Sequence, residues 1–246
     1  MRVQNKDLNA HWKMEEVKFI LCDPKKDLTD AWRAKMRDLL APEDASRFSV
    51  INGYLDEVKA TFDCIVSVAN AHGILDGSSD LVISDMFAKA VHRDVQDVIE
   101  TVQRHLHDTW NGFQPVGTCE IVDMSAFLPN RYACRYIAHS PTMRTPMAVR
   151  WDKEVVYRCF WSILTAVKNW NARCTNDARK IRSVLCFGLA TGVGRFPPDV
   201  CAAQMILAYK NFLAHERQGY KPIGWPEAYG EGMDIEETHR VRSMYL

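Results

Sequence analysis

The chain has no charge surplus of either sign: 31 Lys and Arg balance 31 Asp and Glu over 246 residues. A basic field for nucleic acid is therefore excluded, and any anion site must be built locally from backbone amides or a few cations. No apolar run approaches the roughly 18 residues of a membrane span. The N-terminal stretch MRVQNKDLNAHWKMEEVKF lacks the apolar core of a secretory signal. The eight cysteines form no CxxC pair and sit mostly inside apolar runs, which disfavours a zinc site. They read as buried thiols of a reducing, intracellular compartment, cytoplasmic or nuclear. Neither GxGxxG nor GxxxxGK[ST] occurs, nor a GxSxG elbow around Ser67 or Ser78. The histidines, His72 and His139 included, have no partners at metal spacing and read as structural or surface residues. No repeat or low-complexity tract is visible.

What is present is a 47% hydrophobic, 25% charged composition, ordinary for a globular protein. Short apolar runs read as strands at 17–22, 48–52, 64–70, 118–123, 134–139 and 181–188. Between them lie helical periods. One starts near Asp27, Thr29 and Asp30 and ends near Leu40. Two follow over 83–106, and the strongest carries Val155, Val156, Cys159, Phe160, Ile163, Leu164 and Val167. A last helix follows Pro197 and Pro198 and buries Cys201, Met205, Ala208 and Phe212. Continuous apolar strands alternating with helices predict an α/β fold, a three-layer α/β/α sandwich with helices on both faces of the sheet. The 118–123 and 134–139 strands allow antiparallel pairing. From Gly219 onward Gly, Pro and charge occur without a period, which reads as an appended tail. Its Trp225, Tyr229 and Tyr245 are candidate anchors for a protein partner.

In open α/β sheets ligands bind at the carboxyl ends of strands. Three such ends carry glycine turns here: NGYLDE (52–57), VANAHGILDGSSD (68–80) and GLATGVGRFPP (188–198). Exposed amides at such turns cradle phosphate, and two loops suggest a ligand with more than one phosphate. The alternative is that the glycines only make tight connections. Asn70 can donate to a sugar hydroxyl, and Asp80 can orient or activate water. The competing roles are an Asx turn for Asn70 and a helix N-cap for Asp80.

In order and spacing, DCIVSVANAHGILDGSSD (63–80), QPVGT (114–118), AHSPTMRTP (138–146), LATGVGRFPP (189–198) and AAQMILAY (202–209) resemble the macro domain, the ADP-ribose-binding module. The likeness is greatest to a divergent macro-domain-like branch of fungi and bacteria. It implies a mixed six- to seven-stranded sheet and three parts: an N-terminal extension over 1–46 (a strand and a helix packing on the core), a macro core over 47–218, and a tail over 219–246. It also implies ADP-ribose, or an ADP-ribosylated protein, as partner, and neither cofactor, metal, membrane nor nucleic acid.

By this resemblance Asn70 matches the second Asn of the family's NAAN motif and Asp80 the acidic residue closing the glycine loop, the pair that holds the distal ribose and its attacking water. Val68 and Ala69 lead into that loop; Gly77, Ser78 and Ser79 line it. Ala190, Thr191, Gly192 and Val193 match the second phosphate loop. Three positions depart from the pattern. Tyr54, before Leu55 and Asp56, replaces the adenine-reading Asp, so adenine would stack on Tyr54 or be reached by Asp56. Ser78 and Ser79 add Cβ atoms where the family has glycine. Gly194 replaces the aromatic lid over the distal ribose, with Phe196 as its substitute and Arg195 as a cation for the diphosphate. The implied activity is hydrolysis of ADP-ribose from protein side chains. A non-catalytic reader, an ADP-ribose 1″-phosphate phosphatase and an interaction protein on the same scaffold stand as alternatives.

Overall fold

A computed structural model describes residues 13–240 of the chain. Six strands form one sheet in the order β2-β1-β6-β3-β5-β4, where β1 is Lys18–Asp23, β2 Phe48–Asn52, β3 Cys64–Ser67, β4 Glu120–Asp123, β5 Tyr136–His139 and β6 Ser183–Cys186. All neighbours are parallel except β4, which runs antiparallel to β5. Side chains alternate between two cores. Phe19, Leu21, Cys64 and Val66 enter one; Ile20, Cys22 and Ile65 enter the other. Both faces are apolar because both are covered, as the continuous hydrophobic runs require.

The first face carries α1 (Lys26–Leu39), α5 (Val155–Arg173) and α6 (Pro198–Gln218), with α6 packed on both others. The second carries α3 (Ser78–Ala90) and α4 (Val95–Trp110). The one-turn helix α2 (Pro42–Ala45) links α1 to β2. Several strands are shorter than the apolar runs, because side chains take over the backbone at their ends. The Asn130 carboxamide bonds the amides of Tyr132 and Cys134 and the Cys134 carbonyl, so β5 begins only at Tyr136. The Asp63 carboxylate accepts from the amides of Arg182 and Ser183 and delays β6 in the same way.

Two organisational expectations change. The 1–46 strand is not peripheral: β1 lies inside the sheet, bonded to β2 on one side and β6 on the other. The 219–246 segment is not irregular throughout, since it forms α7 (Trp225–Arg240), a helix packed on α6. Its period escapes notice because only Ile235 is buried. Tyr245 lies outside the described residues.

Candidate functional site

β3 and β6 are adjacent, so the loops at their carboxyl ends, 68–77 and 187–197, open side by side. β1 flanks β6 and adds its own loop, Pro24 and Lys25, which sequence reading did not single out. Lys25 Nζ donates to the Thr191 carbonyl at 2.7 Å, tying this loop to the second phosphate loop. The run DPKKD at the end of an apolar strand is the signal that marks it. β2 delivers Tyr54, Leu55 and Asp56 at the far side of β1.

In the first loop, the Asn70 carboxamide is committed to its own chain. Nδ2 donates to the Ile74 carbonyl at 2.8 Å, and Oδ1 accepts from the amides of His72 and Ile74 at 3.0 and 3.3 Å. That is the Asx-turn role, and it closes the turn that contains Gly73. Val68 is half-buried and Ala69 buried, so both contribute backbone rather than side chain. Gly77 is the N-cap of α3 and exposed, and a Cβ there would meet nothing within 4 Å. Ser78 takes the left-handed backbone at φ 51°, a strained conformation for a residue with a Cβ.

Asp80 is the third residue of α3 rather than its cap. Ser67 Oγ donates to Asp80 Oδ1 at 2.8 Å, fixing the carboxylate at the end of β3. Burial pushes its pKa up to about 6, against the lowering effect of the Ser67 hydroxyl and the Val68 amide. A carboxyl poised there changes charge just below neutral pH, a suitable range for a general base.

The second loop is folded on itself. The Phe196 amide donates to the Ala190 carbonyl at 2.9 Å and the Arg195 amide to the Gly192 carbonyl at 3.0 Å. Ala190 and Arg195 both take positive φ, at 59° and 54°. Gly194 is required by this turn, since a Cβ would stand 2.5 Å from the Ala190 carbonyl oxygen. An aromatic lid is thus sterically excluded at that position. Phe196 does not replace it. The ring is buried, 2% exposed, and packs edge-on against His239 of α7 with centroids 5.9 Å apart. Gly192, Val193 and Arg195 remain exposed; Thr191 is buried, its hydroxyl on the Gly188 carbonyl. Arg150 Nε donates to the Arg195 carbonyl at 2.6 Å, a second cation bracing the loop.

At the β2 end Tyr54 is 66% exposed and Asp56 is exposed, while Leu55 is buried, its carbonyl accepting from the Tyr132 hydroxyl at 2.7 Å. Leu55 therefore anchors the turn from inside.

Behind the loops, His139 ends β5 fully buried, Nδ1 2.6 Å from Gln114 Oε1. Gln114 uses its amide nitrogen on Thr118 Oγ1 and the His139 carbonyl, so His139 Nδ1 is the donor of that pair. Burial pushes its pKa down to about 4, which keeps the ring neutral. A cavity of ≈ 970 Å³ elsewhere in the fold shares no residue with these loops. It lies along the outer edge of β4, between His105 of α4 and Trp161, Trp170 and Arg173 of α5. Among the described residues no group of His, Cys, Asp and Glu is arranged to hold a metal ion, and no helix is long and apolar enough to cross a membrane.

No family model and no curated protein matches the chain. Solved structures of the Oceanobacillus iheyensis macrodomain are similar to it. The macrodomain with ADP is 17% identical, over 76% of this chain and 88% of that one, with a TM-score of 0.45. With MES bound, the figures are 16%, the same coverages and a TM-score of 0.44. A mutant with ADPR is 19% identical over 64% of this chain and 74% of that one, with a TM-score of 0.46.

Proposed function

We propose that the chain binds ADP-ribose, or a derivative of it, across the carboxyl ends of β2, β1, β6 and β3. One observation carries the proposal: the two loops whose sequences resemble the macro-domain phosphate and ribose loops emerge from adjacent parallel strands. A single ligand can therefore touch both. The exposed amides around Gly192 and Val193, with Arg195, suit a diphosphate. Exposed Tyr54, at the β2 end, suits the face of an adenine ring. Calorimetric titration of ADP-ribose, with AMP and ATP as controls, should give selective micromolar binding. No heat at millimolar ADP-ribose would overturn the proposal.

Asp80 is the group that would turn binding into hydrolysis. Water oriented by its carboxylate attacks ribose C1″, and the ester to an acidic protein side chain leaves as a carboxylate. No metal and no covalent enzyme intermediate enter this step. Asp80→Ala should abolish turnover of an ADP-ribosylated protein while binding of free ADP-ribose stays within a few-fold. Because burial holds the group near 6, the wild-type rate should rise with pH through about 6 as the carboxyl ionises. A rate that is flat from pH 5 to 7 would remove Asp80 from the role of base.

A further inference from the structure

β4 ends the sheet, so only one of its two edges is paired. The Met124 amide donates to the Arg135 carbonyl at 2.8 Å, and the two-residue period of an antiparallel ladder then turns the backbone groups of Glu120 and Val122 towards β5 as well. Ile121, and Cys119 just before the strand, fall in the opposite phase. Their amides and carbonyls point outward, where no described residue bonds them. This edge is the floor of the ≈ 970 Å³ cavity. His105 and Thr109 of α4 stand on one side of it, Trp161, Ala166 and Trp170 of α5 on the other. The space is at the upper end of the about 300–1,000 Å³ of ligand clefts.

The walls are held in place by the protein itself. Trp170 Nε1 donates to the Arg179 carbonyl at 3.2 Å, and its ring meets Tyr136 edge-on with centroids 4.9 Å apart. Trp161 stacks on Tyr157 at 5.9 Å. Glu120 is engaged from the α4 side by Trp110 Nε1 at 2.9 Å and has His105 Nε2 at 3.5 Å. Arg173, which also lines the cavity, has no such partner. Its Nε donates to the Asn169 carbonyl at 3.0 Å, and no carboxylate among the described residues comes within ion-pair distance. Glu120 feels its charge only at longer range.

We propose that this groove docks an extended peptide segment of a partner protein, added to β4 as a further strand, with apolar side chains towards α5 and an acidic side chain on Arg173. The outward amides and carbonyls of Cys119 and Ile121 alternate with paired residues, the spacing that another strand satisfies. Successive side chains of a strand point to opposite faces, and the two walls differ accordingly: aromatic on α5, polar on α4. The unpaired guanidinium supplies the complementary charge and takes a carboxylate in two parallel bonds.

The groove lies away from the ligand loops, so its test is independent of ADP-ribose. The probe is a synthetic seven-residue peptide, capped at both termini, with a glutamate at each end of an alternating valine and threonine core. Titrated into the ¹⁵N-labelled full-length protein, it should shift the amide signals of Cys119 and Ile121 and slow their hydrogen exchange, with millimolar or tighter affinity. The same peptide N-methylated through its core should bind at least tenfold more weakly, because it cannot donate to the β4 edge. Arg173→Glu, a change at an exposed side chain, should also weaken the glutamate peptide at least tenfold, and lysine in place of both glutamates should restore binding to that variant. No shift at 5 millimolar peptide would overturn the proposal. So would an N-methylated peptide as tight as its parent, which would mark a site for a compact ligand. Cys119 and Ile121 amides already protected in the free protein would overturn it too. The edge would then be covered by the chain's own segment, or by a second copy where protection grows with protein concentration.

Discussion

Asp80 and His139 border the same end of the sheet, and burial moves their proton affinities in opposite senses. The Asp80 pKa is raised to about 6, so the native state holds a proton that the unfolded chain gives up at about 4. Stability from this group is full below about 4 and is lost as pH rises through 6. Asp80→Asn should therefore stabilise the protein by about 1–2 kcal/mol at pH 7.5, discounted for partial exposure, and this advantage should vanish below pH 4. Thermal melts across that range decide it. His139 works the other way. Its pKa is depressed to about 4, so its contribution is full above 6.5 and is lost as pH falls from 6.5 towards 4. Gly194→Ala places a methyl against the Ala190 carbonyl and should cost about 1–3 kcal/mol in urea unfolding, whereas Gly192→Ala, with open space around it, should stay within about 0.5 kcal/mol. Spacing in the sequence brought Asn70, Asp80 and the 190–195 loop to one end of the sheet. It did not show which of two open roles Asn70 takes, because that depends on whether Ile74 turns back to meet the carboxamide. Nor did it show that Phe196 is buried, which requires His239 more than forty residues later.

Among the elements, β1 and α7 part most from a reading of local pattern, for opposite reasons. VKFILC announces a strand, yet its place in the sheet is decided by partners far along the chain: 165 residues separate Asp23 from Gly188, which meet at the strand ends. A chain beginning at residue 47 lacks the strand that joins β2 to β6 and should fail to unfold cooperatively in urea. α7 does have an inward stripe, but it is made of small and polar residues: Ala228, Glu231, Gly232, Thr238 and His239 around Ile235. With Ile235 its one large apolar residue, that stripe offers no hydrophobic period for pattern reading to find. A chain ending at residue 222 keeps the whole sheet and loses the burial of Ile235, about 1.5–3 kcal/mol, together with the His239 ring on Phe196 and the α7 bonds to Gln204 and Lys153. It should stay folded with a lowered melting temperature. The antiparallel β4–β5 pair and the two covered faces follow from strand length and apolar continuity, and the sequence carries both.

At the scale of the molecule, the sheet has one end where ligand loops gather and, at its β4 edge, a ≈ 970 Å³ cavity between α4 and α5. α7 backs the ligand loops from outside: its His239 ring packs on Phe196 of the 187–197 loop, while Trp225 and Tyr229 near its start stay exposed. W225A/Y229A removes only those exposed rings and should keep the ADP-ribose affinity of the wild type within a few-fold, which calorimetry would show. β1 also sets the order of events in synthesis. A ribosome releases this strand early, when β2 is soon to follow but β6 is still unmade. For most of translation the half-built sheet has an apolar strand with one edge vacant, the condition in which chains mispair or meet chaperones. The last strand to arrive is the one that slots between β1 and β3 and joins the two halves of the sheet. The protein therefore closes like a zip fastened from the middle, only after its carboxyl half is in hand.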